Sequence, residues 1–158
     1  MLTALGGVYV VQNNRFIYTQ AADGNGLTAQ ASDWQFQLNP STVTTTASGQ
    51  GNFRIKLASL DDPITKGRVV LNYDPDLITL GPVDHKSAFE TIHTTPNDGK
   101  LMIISEGEFW GEASWVSIDV QLQPGVANAD ISIDPAISEL QLGNDTRLEV
   151  SGTVSVQR

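Results

Sequence analysis

The clearest alternation of hydrophobic and polar residues lies at residues 53–58, which read FRIKLA. Because side chains point to opposite faces along a β-strand, the apolar residues of this segment would share one face and the two cations the other. The polar cluster at residues 61–63 interrupts the pattern, and residues 66–73 restore it with β-branched and aromatic side chains. Asp, Pro and Asp at residues 74–76 form a second break. The pattern predicts two half-buried strands, each followed by a turn.

Strand-like patterns recur along the rest of the chain. Apolar residues alternate with polar ones, or form short apolar runs, at residues 34–38, 101–104, 115–122, 131–137, 147–150 and 153–156. Turn residues separate these segments, and none of them has the apolar spacing of an amphipathic helix. The pattern predicts an all-β fold, an antiparallel sandwich of eight or nine strands. Its predicted core consists of Phe53, Ile55, Leu57, Val69, Leu71, Tyr73, Leu101, Ile103, Ile118, Val120 and Val154.

The first part of the chain is apolar but short. Residues 1–11 cannot cross a bilayer as a helix, which takes about 20 residues. Two β-prone runs flank Asn13 and Asn14, which tolerate the backbone of a two-residue turn, so a hairpin is favoured over the remnant of an anchor helix. A polar run rich in Gly and Ala then reads as a linker. We predict an attachment segment and linker at residues 1–32, followed by a sandwich at residues 33–158. The apolar residues expected to make the attachment are Val8, Val10, Phe16 and Ile17.

Composition excludes several classes of function. Eighteen acidic and nine basic residues give a net charge of −9, which repels nucleic acid phosphates and anionic lipids. The chain has no cysteine, so it has neither disulfides nor thiolate metal ligands. This balance is compatible with an extracellular or cell-surface location on a bacterium.

A glutamate-rich segment is the strongest candidate for catalysis. Glu106, Glu108 and Glu112 lie beside Trp110, and a glycosidase uses two carboxylates next to its sugar. The sequence predicts, however, that all three lie in one irregular loop at residues 105–114 rather than on opposed elements. We therefore predict that the protein is not an enzyme.

Four aspartates are candidates for binding a metal ion. Asp61, Asp62, Asp74 and Asp76 are hard oxygen ligands near strand ends and would suit Ca²⁺. No calcium-loop motif is present, so surface turns are the preferred interpretation, and we predict no metal site or other cofactor.

The aromatic residues divide into two predicted groups. Phe109 and Trp110, in the predicted loop, are candidates for an exposed surface that recognises a protein or a polysaccharide. Trp34 and Trp115 lie in alternating strand patterns and are predicted to be in the core.

Several segments together resemble the cohesin domain, a β-sandwich module of bacterial cell-surface assemblies. Residues 69–80, VVLNYDPDLITL, resemble the family's third strand, which ends in Tyr-Asp-Pro. Residues 99–104, GKLMII, resemble a later strand that begins with Gly-Lys. Residues 115–122 and 140–156 resemble its penultimate core strand and its closing hairpin. The resemblance covers about residues 33–157 and implies a nine-stranded jelly-roll-like sandwich without catalytic activity.

The resemblance also implies where a partner would bind. In cohesins, one sheet face binds the calcium-loaded helices of a dockerin, and the strand ending in Tyr-Asp-Pro commonly carries Asn and Asp there. The matching positions in this chain are Lys66 and Arg68, so the charge is inverted. The segment between the strands at residues 101–104 and 115–122 is also shorter than in many dockerin-binding cohesins. The predicted partner-binding residues are these two positions, Lys66 and Arg68, together with the aromatic candidates Phe109 and Trp110.

Three functions remain open at this point. The preferred one is a non-catalytic extracellular protein-binding or assembly module on a bacterial surface, such as a subunit of a filament or anchored complex. Its partner would be another protein or a neighbouring subunit, with a membrane anchor upstream of residue 1 as a further expectation. The first alternative is a carbohydrate-binding module, because families that bind polysaccharide share the sandwich architecture. The second alternative is a dockerin-binding cohesin.

Overall fold

The structure is a computed structural model that describes residues 8–12, 15–19, 35–85 and 89–158. These residues form β-strands and connecting turns, with no helix among them. The strands are β1 (Val8–Gln12), β2 (Arg15–Thr19), β3 (Phe36–Asn39), β4 (Thr42–Thr44), β5 (Gln50–Tyr73), β6 (Ile78–His85), β7 (Glu90–Asn97), β8 (Lys100–Leu122), β9 (Asn128–Ile133), β10 (Glu139–Leu142), β11 (Arg147–Glu149) and β12 (Thr153–Gln157). The predicted all-β class is confirmed.

The first two strands form the predicted hairpin. β1 and β2 pair antiparallel, with Val8 opposite Thr19 and Gln12 opposite Arg15, and they make a two-stranded sheet of their own. The predicted turn residues and the predicted linker lie outside the described residues. Within the described part of the chain, no helix is long and apolar enough to span a membrane.

Two long strands run through the whole sandwich. β5 has 24 residues and pairs antiparallel with the 23-residue β8 along almost its full length. The prediction of a turn at residues 61–63 is therefore wrong. These residues form a bulge inside one strand, where the register shifts and the pairing continues on both sides. The predicted loop at residues 105–114 is wrong for a related reason, because its glutamates point away from the core while the strand continues. The turn at residues 74–76 is confirmed.

The long strands connect two layers. In one layer, the second half of β5 and the first half of β8 pair with β7, β9 and β10, and β11, β12 and β4 extend this layer. In the other, the first half of β5 and the second half of β8 pair with β3 and β6. The two layers thus form one ten-stranded sheet that is nearly closed. The pairing is antiparallel except between β12 and β4, which is parallel.

The core fills the space between these layers, and its predicted members are confirmed. All of them are buried except Tyr73, which is half-buried at the end of β5. The largest member, Trp115, is fully buried, and its Nε1 donates a hydrogen bond to Ser105 Oγ at 2.7 Å. Gly67 makes room for the indole, since a Cβ at that position would lie 2.8 Å from the ring atom Cη2. Trp34, the other predicted core tryptophan, lies outside the described residues.

Candidate functional site

The solvent side of the first layer carries the predicted residues Lys66 and Arg68. We call this surface the Lys66 face: it consists of the outward side chains of residues 66–72 of β5, residues 100–106 of β8, and β10. The three strands lie side by side, with β5 in the middle. Because successive side chains alternate across the sheet, Lys66 and Arg68 point outward while Gly67 and Val69 face the core. Val70, the next outward residue of β5, is only 1% exposed, so Lys66 and Arg68 form the open part of this strand on the face.

Lys66 forms an ion pair on this face. It lies directly opposite Glu106 on β8, and its Nζ is 2.8 Å from Glu106 Oε1. The two side chains are 47% and 51% exposed, so water screens the pair. The pair fixes the direction of both side chains but adds little stability, and a partner can replace either half of it.

Arg68 is held more firmly. Its Nη2 lies 3.1 Å from Glu139 Oε1, and its Nε donates a hydrogen bond to the Ile137 carbonyl oxygen at 2.9 Å. Arg147 Nη1 approaches the other oxygen of Glu139 at 3.7 Å. The guanidinium is thereby oriented on the sheet by groups from β10 and from the segment before it.

Apolar side chains lie beside these charges, with Ile104 opposite Arg68 and Met102 opposite Val70. Met102 and Ile104 of β8 are half-buried on the outward side of the strand, and Ile137 is 39% exposed beside Arg68. Protein-binding surfaces usually combine partly exposed apolar side chains with polar and charged ones. The Lys66 face combines both kinds of side chain.

The sequence missed these apolar residues, as well as Glu139. Residues 101–104 form one continuous apolar run, which does not reveal which two side chains point outward. The run was nevertheless a signal of an apolar outer surface. A central strand that is apolar on both faces needs other groups to cover its outer face. Glu139 had no local signal, since it reaches Arg68 only through the pairing of β10 with β5.

The two predicted aromatic candidates point in opposite directions. Trp110 is 55% exposed, as predicted. The prediction for Phe109 is wrong: it is only 5% exposed, and its ring packs against Phe89 with ring centroids 6.0 Å apart. Adjacent residues of a strand lie on opposite faces, so only one of this pair can reach solvent.

The three glutamates of the catalytic hypothesis lie on one side of one strand. Glu106, Glu108 and Glu112 alternate along β8 on the solvent side. Glu106 pairs with Lys66, and Glu112 pairs with Lys56 at 3.3 Å. Carboxylates in a row along a strand do not face each other across a sugar, as a glycosidase requires.

The four aspartates of the calcium hypothesis belong to two separate places. Asp61 and Asp62 lie in the bulge of β5, and Asp62 Oδ2 accepts a hydrogen bond from Asn144 Nδ2 at 2.9 Å. Asp74 and Asp76 lie in the turn after β5, where Asp74 Oδ1 accepts a hydrogen bond from the Asp76 backbone N–H at 2.9 Å. No group of three or more metal-ligating side chains occurs among the described residues. The absence of a metal site or other cofactor stays a prediction.

A shallow cleft lies on the second layer. It has a volume of about 330 Å³ and is lined by Gln50, Gly51, Thr79, Gly81, Asp119, Val120 and Gln121. The lining contains no aromatic side chain on which a sugar ring could stack.

The predicted attachment residues are placed by their backbone alone. Val8 and Val10 belong to β1, and Phe16 and Ile17 belong to β2. Val10 lies opposite Ile17 in the hairpin. Their side chains lie outside the described part of the structure, so the attachment role stays a prediction.

Comparison with known proteins identifies the fold. No protein-family model matches the sequence, and no curated protein is significantly similar to it. Solved structures match over most of the chain. A cohesin from Clostridium acetobutylicum has a TM-score of 0.63 and 13% identity, over 77% of this chain and 88% of its own. A type I cohesin–dockerin complex from Clostridium thermocellum gives 0.62 and 12%, over 77% and 97% of the two chains.

The same fold occurs outside bacteria. A non-cellulosomal cohesin from the archaeon Archaeoglobus fulgidus matches with a TM-score of 0.56 and 10% identity, over 74% of this chain and 89% of that one. At these low identities the likeness concerns the fold. It agrees with the resemblance found in the sequence, which rests on separate observations. The chain is therefore a cohesin-like domain in fold.

Proposed function

We propose that this protein is a non-catalytic protein-binding module and that the Lys66 face is its recognition surface. The observation that carries the proposal is the composition of that face: half-buried Ile104 lies directly opposite Arg68 and half-buried Met102 follows it opposite Val70, beside the Lys66–Glu106 and Arg68–Glu139 ion pairs. A partner that covers these apolar side chains gains hydrophobic burial. The exposed ion pairs contribute little to stability, so their charges are available to a partner at small cost.

The chemistry of the face defines the partner. Solved cohesins with this fold include complexes with dockerins, so a dockerin-type module is the first partner to test. Lys66 and Arg68 stand where cohesins commonly carry Asn and Asp. We infer that the partner presents acidic rather than basic residues to these two positions. An assembly subunit with an acidic surface is the other form of the same proposal.

The setting of this binding is part of the proposal. We place the module outside a bacterial cell or on its surface, supported by the acidic, cysteine-free composition and by the cohesin-like fold. Carbohydrate binding has less support. Among the described residues, three large apolar side chains are exposed, and Trp110 is the one aromatic side chain of the three. A polysaccharide surface needs several aromatic rings in a row.

Charge reversal on the Lys66 face is expected to abolish partner binding. The double variant Lys66→Glu, Arg68→Glu should bind an acidic partner at least roughly 30-fold more weakly, because two central contacts become repulsive. Biolayer interferometry against a panel of calcium-loaded dockerins and against extracellular proteins of the source organism measures the affinity.

β5 itself supplies a matched control. Arg54 and Lys56 lie on the first half of the same strand and point outward from the second layer. The variant Arg54→Glu, Lys56→Glu changes the net charge equally and should keep the affinity within about threefold. Equal losses in both double variants, or no loss in the first, would contradict the assignment of the face. Degradation of polysaccharide that stops when Glu108 is changed to Gln would contradict the non-catalytic role.

Removal of residues 1–30 is expected to leave the sandwich folded. The hairpin makes its own two-stranded sheet and contributes no strand to the ten-stranded sheet. We propose that it attaches the module to a neighbouring subunit or to a surface, since an isolated hairpin is marginally stable in water. Thermal unfolding followed by circular dichroism should show a shift of at most a few degrees, and chromatography with light scattering should show a monomer. An unfolded product would mean that the segment belongs to the core.

A further inference from the structure

Trp110 is unusually exposed for its size. It is 55% exposed, while the other large apolar side chains described as exposed, Leu77 and Ile137, reach 37% and 39%. Its neighbour Phe109 takes the buried position on the other side of β8. The Lys66 face does not include Trp110, so the proposed function does not account for this exposed indole.

The backbone around Trp110 is built to present it. In the pairing of β5 with β8, residues 60–63 lie opposite Trp110 alone, so the indole stands beside a four-residue bulge. The bulge is fastened by the hydrogen bond from Asn144 to Asp62, at 2.9 Å. Gly111 has φ of 79°, a left-handed conformation that favours glycine, although a Cβ there would meet nothing within 4 Å. The backbone that carries the exposed ring is thus preformed, which lowers the entropy cost of binding.

Acidic residues flank Trp110 along β8 and lie opposite it in the bulge of β5. Glu108 and Glu112 lie two residues before and two residues after Trp110, on the same side of β8. Glu112 is paired with Lys56. Glu108 and Asp61, in the bulge, are both exposed and form no ion pair with any described residue. The two carboxylates are available to a ligand, and the net charge of −9 adds a long-range attraction for cations.

We propose that Trp110, Glu108 and Asp61 form a second binding surface, which takes an arginine side chain from a cationic segment of a partner protein. The guanidinium stacks on the indole face, an arrangement in which tryptophan is the best aromatic partner. The two carboxylates accept its N–H groups and replace the water that the cation loses. This surface is separate from the Lys66 face, which we expect to select acidic partners, and it does not depend on the proposed function.

Peptide titration tests the surface in the full chain. The probe is a capped peptide of alternating arginine and glycine, and the reference is the same peptide with citrulline in place of arginine, which removes the charge but keeps the shape. The indole N–H resonance of Trp110, assigned with the Trp110→Phe variant, should shift on addition of the arginine peptide. The shift should weaken as salt is added, and the citrulline peptide should leave the resonance unchanged.

Matched variants locate the contact. Trp110→Ala should weaken binding by roughly tenfold, the loss of one well-placed cation–π contact. Glu108→Gln should weaken it by about threefold or more. The control Glu149→Gln removes the same charge from an exposed position on β11 and should leave the affinity unchanged.

Four outcomes would overturn the inference. These are no binding of the arginine peptide, equal binding of the citrulline peptide, equal effects of the Glu108 and Glu149 variants, and a Trp110 resonance that responds to a soluble β-glucan oligosaccharide instead of the peptide. The Lys66 and Arg68 double variant should bind the arginine peptide at least as tightly as the unmodified protein does, because it only adds negative charge. This separates failure of the second surface from failure of the proposed function.

Discussion

Replacement of Trp115 by alanine is expected to lower the free energy of unfolding by about 3–5 kcal/mol. The side chain is fully buried between the two layers. The centroid of its ring lies 5.7 Å from the centroid of the Phe89 ring. Its Nε1 also donates to Ser105, a residue that is itself fully buried. Truncation leaves a large cavity between the layers and removes this hydrogen bond.

Urea unfolding followed by circular dichroism measures this effect. Trp110→Ala is the matched control, because it makes the same chemical change at a side chain that is 55% exposed. The control should cost less than about 1 kcal/mol. Trp115→Phe should fall between the two, since it keeps most of the packing and loses the hydrogen bond. Equal stabilities of the Trp115→Ala and Trp110→Ala variants would contradict the described core.

Replacement of Leu71 by alanine should cost about 2–5 kcal/mol. Leu71 is 1% exposed on the central strand, with Leu101 of β8 opposite it on one side and Ile133 of β9 on the other. All three side chains face the core, so the cavity would open where three strands meet. The loss of stability comes from tertiary contacts, which residues adjacent to Leu71 in the sequence cannot replace.

Leu77 provides the comparison for Leu71. It lies in the turn after β5 and is 37% exposed, so Leu77→Ala should change the stability by about 0.5 kcal/mol or less. Both variants remove the same atoms, and their difference therefore measures burial alone. A Leu71 variant as stable as the Leu77 variant would mean that the outward and inward faces of β5 have been exchanged.

The two proposed binding surfaces have opposite expected charge preferences, which has a consequence for assembly. The Lys66 face presents cations from the centre of a sheet, whereas the Trp110 surface presents Glu108 of β8 and Asp61 of the bulge in β5, which form no ion pair with any residue that the structure describes. A module with two such surfaces can hold two different partners at once. Competition between a dockerin-type partner and the arginine peptide is therefore expected to be absent.

The sequence by itself determined the class of the fold, most of the core and the resemblance to cohesins. Alternation at residues 53–58 and 66–73 was sufficient, because the period of a strand is local and its apolar face must be buried wherever the strand packs. The turn at residues 74–76 was equally local, since proline cannot donate to a ladder.

Only the tertiary structure decided the continuity of β5 and β8. Asp61, Asp62 and Pro63 are residues of a turn by local chemistry, yet pairing on both sides holds the strand together through the bulge. Phe109 and Trp110 show the same limit: both looked exposed in a glutamate-rich loop. Once the segment is a strand, the even spacing of Phe109 from buried Trp115 places it inside and leaves Trp110 outside.

The composition of the proposed Lys66 face also depended on the tertiary structure. Lys66 and Arg68 could be selected from the sequence, but their partners Glu106 and Glu139 come from strands far away along the chain. Nothing local specifies which strands lie beside β5, because hydrogen-bonded pairing is chosen by the whole sheet. Sequence determines which side chains share a face of one strand, whereas the order of the strands decides which faces become one surface.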